Sequence, residues 1–103
     1  MKQFAYDMQS SPFGSQPISE ELIRNALKLL LEDTDNFFVL DNLTDGTFMQ
    51  TVIEEGKFRV EFAPNKIYVK FVEDYEEAAN MFVNYFNGIL PDILDGFEDT
   101  GIL

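Results

Sequence analysis

The sequence predicts an α+β protein: a four-stranded antiparallel meander with an N-terminal and a C-terminal helix packed on one of its faces. Three observations carry this. One segment towards each end of the chain repeats apolar residues at helical spacing. Between them, four short apolar runs alternate as half-buried strands do, and a turn signal separates each run from the next. A chain of 103 residues suits a single domain. That length buries roughly 60–70% of the surface exposed by the unfolded form, enough for one core without staples. The composition is globular, at 46% hydrophobic and 25% charged, and 11 Phe with 4 Tyr make the expected core rich in aromatic rings.

Residues 1–17 hold a segment, Gln3–Met8, compatible with a short strand, followed by the loop SSPFGSQP. A helix is expected over 19–33. Ser19 is placed to cap it, Glu20 and Glu21 sit in its first turn, and Ile18 is spaced to staple onto Ile23. Leu22, Ile23, Ala26, Leu27, Leu30 and Leu31 form its apolar face. The sheet spans 37–72, with strands at Phe37–Asp41, Thr47–Ile53, Phe58–Ala63 and Lys66–Val72. Asp45-Gly46 predicts a two-residue hairpin turn, Glu54-Glu55-Gly56 a three-residue loop, and Pro64-Asn65 the last turn. Ala63 opposite Lys66 would pair Phe62 with Ile67, Val60 with Val69 and Phe58 with Phe71, placing Arg59, Glu61, Tyr68 and Lys70 on the other face. The second helix is expected over 74–88, capped by Asp74 with Glu77 closing the box and stopped near Gly88. Its buried stripe is Tyr75, Ala78, Ala79, Phe82 and Phe86. Residues 89–103 read as an acidic tail whose apolar residues could pack back on the domain.

Charge is the strongest functional signal. From Phe71 onward the chain carries eight acids and no Lys or Arg, supplying −8 of a net charge of −12. Folding does not require such a field, which repels itself in the compact state and acts instead on solubility, steering and partner choice. A basic partner is expected, and nucleic acid and anionic membrane are disfavoured. The bland alternative is a solvated helix face and a soluble tail. The start MKQFAYDMQSSPFGSQ has one Lys and no apolar run, so no signal peptide is expected. No apolar stretch approaches the roughly 20 residues that span a bilayer. With no Cys to form disulfides, a cytoplasmic protein is the expectation.

Catalytic inventories fit poorly, and no enzyme, metal or cofactor is expected. There is no His, the commonest general base near neutral pH. The Ser residues therefore have no His or Cys partner, and Ser19 is better explained as a cap. Among 19 acids, some pair falls at a useful distance by chance. Glu61, alone in mid-strand, is better read as a solvated partner of Lys70 or an interface residue than as a catalytic acid. Neither Asp41–Gly46 nor Asp92–Asp99 has the alternating acids and distant Glu of a calcium loop. No Gly-rich phosphate loop is present. The aromatics at strand spacing lack the Lys and Arg of a single-strand binder, and core packing accounts for them. A mimic of DNA charge would need more regularly spaced acids.

Several phrases resemble a known class. The Pro-Ile-Ser-initiated helix (17–33), FFVLDNLTDGTFMQTV (37–52), GKFRVEF (56–62) and DYEEAANMFVNYFNG (74–88) resemble immunity proteins of bacterial polymorphic toxin systems. The likeness is to the group usually numbered the first immunity family, in the phrase around Phe48-Met49-Gln50, the Val60-Glu61 strand and the helix ending near Asn87-Gly88. The resemblance implies a small, acidic, non-enzymatic protein that binds and blocks a cognate toxin of nuclease or deaminase type. It also implies that Phe97 stands where many relatives carry Trp, and that Glu61 matches a family position. With the acids and interleaved apolar residues of the C-terminal third, the expected partner-binding residues are Glu61, Glu73, Glu76, Glu77, Tyr85, Asp92, Asp95, Phe97, Glu98 and Asp99, with Tyr75, Ile102 and Leu103 as further apolar anchors. The alternative function is an acidic homodimeric secretion chaperone for an effector protein. A monomer or weak homodimer is expected.

Overall fold

The computed structural model describes residues 3–101. In chain order the elements are β1 (Phe4–Met8), α1 (Glu20–Glu32), β2 (Phe37–Asn42), β3 (Phe48–Glu54), β4 (Lys57–Ala63), β5 (Tyr68–Val72), α2 (Tyr75–Phe86) and β6 (Glu98–Asp99). The fold class is α+β with an antiparallel sheet and two helices. The sheet has six strands rather than four, in sequential order β1 to β6. The two additions are edge strands. Phe4, Tyr6 and Met8 alternate inward on β1, which pairs with β2 once α1 has brought the chain back. The 89–101 segment returns to add β6, with Tyr68 opposite Asp99 and Val69 opposite Glu98. That part of the expected tail is therefore built into the sheet. Ile102 and Leu103 lie outside the described residues.

Both helices begin at the expected caps. Ser19 Oγ accepts from Leu22 N at 3.1 Å, and an Asp74 carboxylate oxygen accepts from Glu77 N at 3.3 Å. Leu22, Ile23, Ala26, Leu27 and Leu30 are buried along α1, whereas Leu31, expected on that face, points to solvent. On α2 the buried set is Ala78, Ala79, Phe82, Val83 and Tyr85. The helix ends in a Schellman arrangement: Gly88 N donates to Tyr85 O at 3.0 Å and Ile89 N to Asn84 O at 2.8 Å. Gly88 sits at φ 91°, where a Cβ would be strained. Tyr75 Oη, donating to Arg24 O at 2.8 Å, ties α2 to α1.

All three hairpin turns and one register differ from expectation. The β2–β3 connection is a longer loop, in which Asn42 N donates to Thr47 O and Gly46 N to Asn42 O. The cause is side-chain mimicry of backbone acceptors. Asn42 Oδ1 takes Thr44 N at 3.0 Å and Asp45 Oδ1 takes Thr47 N at 2.9 Å, which widens the loop. The β3–β4 turn is tighter than expected, with Glu55 and Gly56 between the pair Glu54 and Lys57. In the β4–β5 hairpin Phe58 lies opposite Val72, Val60 opposite Lys70 and Phe62 opposite Tyr68. This is one residue off the expected register, and a one-residue slip exchanges the faces. Val72 joins the core beside Phe58, while Val69 and Phe71 move to the side of Arg59 and Glu61.

The core lies between the two helices and one sheet face. Phe38, Leu40, Met49, Phe58, Val60 and Phe62 point into it from the strands. Phe38 meets Phe82 edge-on at 5.7 Å. Burying each such large apolar side chain contributes about 1.5–3 kcal/mol. Among the described residues, the opposite sheet face carries no helix.

Candidate interaction surfaces

The acidic third does not form one open patch. Glu73 pairs with Lys57 at 3.4 Å, Glu76 with Arg24 at 3.5 Å and Asp99 with Lys66 at 3.4 Å. Lys70 serves as a hub, 3.6 Å from Glu77 and 3.8 Å from Asp95, with its ammonium 5.9 Å from the centre of the Phe97 ring. A cleft of about 480 Å³ brings together four expected site residues, Glu77, Asp92, Asp95 and Phe97. Their contacts are structural: they latch the returning segment onto α2 and β5. Asp92 Oδ1 accepts from Leu94 N at 3.0 Å, closing a local turn. The Gly101 N–H, and secondarily Lys66, hold the Asp99 carboxyl below its ordinary range. Glu98 is exposed on β6.

Tyr85 belongs to the interior, which corrects its expected role as a surface anchor. It is 1% exposed and lies edge-on to Phe4 and Phe62 at 5.6 and 5.9 Å. The periodic signal was present, because Tyr85 follows Ala78 and Phe82 at i, i+4 and i+7. Its hydroxyl bonds to Thr47 Oγ1, whose own proton goes to Asp45 Oδ1, so Tyr85 is the donor. Burial first, with the nearby Asp45 and Asp41 carboxylates acting in the same direction, raises the phenol above its ordinary range.

Glu61 lies apart from the other expected residues, near the middle of the uncovered face. Its side chain is 16% exposed. Gln50 Nε2 donates to Glu61 Oε1, and Arg59 Nε stands 3.0 Å from Glu61 Oε2. That N–H is not aligned as a hydrogen bond, so the contact is ionic. Arg59 Nη1 also reaches Glu54 Oε1 at 3.3 Å. Around this array lies a depression of about 260 Å³, lined chiefly by Phe37, Val39, Val52 and these polar side chains. Val52 and Phe71 are 37% and 49% exposed.

Acids surround the apolar surface. Register places Asp7, Asp41, Glu54 and Glu98 on the same face as Glu61, against the cations Lys57 and Arg59, and Glu73 joins them through its ion pair with Lys57. Burial, and then the neighbouring Asp7, raise the Asp41 carboxyl above its ordinary range. Sequence reading missed this surface because the shifted register had assigned Val69 and Phe71 to the core. Among the described residues no group of three acids is placed to hold a metal ion, and no helix is long and apolar enough to cross a membrane. Compared with protein-family profiles, curated proteins and solved structures, the chain returns no match.

Proposed function

We propose that this chain is a non-enzymatic, stoichiometric inhibitor, an immunity-type protein that binds and neutralises a basic bacterial toxin of nuclease or deaminase type. What supports the reading is a charge excess that internal pairing leaves in place. Acids outnumber Lys and Arg by 19 to 7. Among the described residues, eight of those acids share five cations, Arg24, Lys57, Arg59, Lys66 and Lys70. These cations are already engaged, so the remaining field is strongly negative. A field of this kind raises encounter rates with a cationic protein by one to three orders of magnitude at low salt. The sequence resemblance to immunity proteins agrees with this reading, which would put the protein in the cytoplasm.

Tagged protein purified from its native host provides the test. The expected result is a 1:1 complex with a basic protein, encoded immediately upstream, whose activity is blocked in the complex. Association should slow at least tenfold between low and high salt, in line with the loss of steering. Recovery of no basic protein would overturn the proposal. A homodimer wrapped around an extended effector segment would replace it with the secretion-chaperone reading.

A further inference from the structure

We infer that the uncovered sheet face, and not the acidic C-terminal segment, is the surface that docks the basic partner. This rests on the inhibitor reading above and gives it a location. The face has the anatomy of a protein interface, with an apolar centre inside a charged perimeter. Phe37, Val39, Val52 and Phe71 lie on it, around the depression that holds Arg59 and Glu61. The Gln50, Glu61, Arg59 and Glu54 contacts fix that polar array before a partner arrives, so little side-chain freedom remains to be lost on binding.

The occupant follows from the charges. Among the described residues both cations of the face are already engaged, Lys57 by Glu73 and Arg59 by Glu54 and Glu61. Asp7 and Asp41 form no ion pair with a cation among the described residues, and burial acts against the Asp41 charge. A second copy would oppose this acidic perimeter with its own. A folded basic protein, offering an apolar patch ringed by Arg or Lys, complements both centre and rim. In the C-terminal cleft, by contrast, Lys70 is held between Glu77 and Asp95 and over Phe97, so these side chains are engaged in fastening the returning segment.

The experiment uses the whole chain and, as probe, the purified basic protein recovered in the 1:1 complex. Val52→Asp and Phe71→Asp make the face more acidic while removing apolar contact. Both should weaken binding roughly tenfold or more, with far-UV dichroism and melting close to wild type. Glu77→Gln with Asp95→Gln should change affinity less than threefold. Hydroxyl-radical footprinting of the wild-type complex provides a readout free of folding defects, and Phe37 and Phe71 should be protected in it. Unchanged binding by the face variants, or protection confined to Phe97 and the 91–99 segment, would overturn this location while leaving the inhibitor reading intact. If no basic protein forms a 1:1 complex, both fall.

Discussion

Asn36 shows how much one side chain can fix. It is buried at the turn between α1 and β2, yet its amide reaches across to the end of β1. Oδ1 accepts from Gln9 N at 2.9 Å and Phe37 N at 2.8 Å, while Nδ2 donates to Ser10 O at 3.1 Å. Removing the amide strands several part-buried backbone groups, and such groups are costly to leave unpaired. Asn36→Ala should cost about 2–4 kcal/mol, read as a lower denaturation midpoint at unchanged slope. A loss below about 1 kcal/mol would mean that water satisfies those groups. Sequence reading ended the helix at 33 and gave Asn36 no role. The local pattern shows where a chain turns, but which distant backbone an Asn will bond depends on packing. Tyr85 teaches the converse, since its spacing was legible and the acidic surroundings outweighed it.

At the scale of elements, the Glu55-Gly56 turn carries a correctable strain. Glu55 has φ 53° and Gly56 φ 79°, so both central residues are left-handed, as a type I′ turn requires. Glycine accepts that geometry, whereas Glu tolerates it badly. Asn favours the first position of such turns, and Glu55→Asn should stabilise the protein by about 0.5–1 kcal/mol, measured as a higher midpoint with the hairpin register unchanged by NMR. Destabilisation would show that the Glu55 side chain makes a contribution its backbone conformation hides. The helices and β2 to β5 were legible because 3.6-residue and two-residue periodicities survive in single sequences, and so were both helix caps. Loop length was not. Pro64-Asn65 looked like a tight turn, but the chain spends further residues before Phe62 meets Tyr68, and that difference inverted β5. The β6 pairing was equally hidden, because two residues, Glu98 and Asp99, carry no alternation to read.

Across the whole molecule, a bare and partly apolar sheet face is an aggregation hazard unless something opposes self-association. Net charge does so here. At −12 for 103 residues, two copies approaching through this face must bring Asp7, Asp41, Glu61 and Glu98 of one against the same residues of the other. Repulsion acts over about 10 Å at 0.1 M salt and only about 3 Å at 1 M, while apolar attraction does not weaken with salt. The two terms therefore trade places as ionic strength rises. At neutral pH and low salt, sedimentation equilibrium should return the monomer mass of 11.9 kDa. Raising salt to about 1 M, or lowering the pH towards the isoelectric point near 4.1, should bring on self-association, which Val52→Asp suppresses. Screening should also raise the melting temperature of the monomer by relieving repulsion within it. A dimer that persists at low salt and neutral pH would show that the face is satisfied by a second copy, and the case for a basic partner at that surface would be lost.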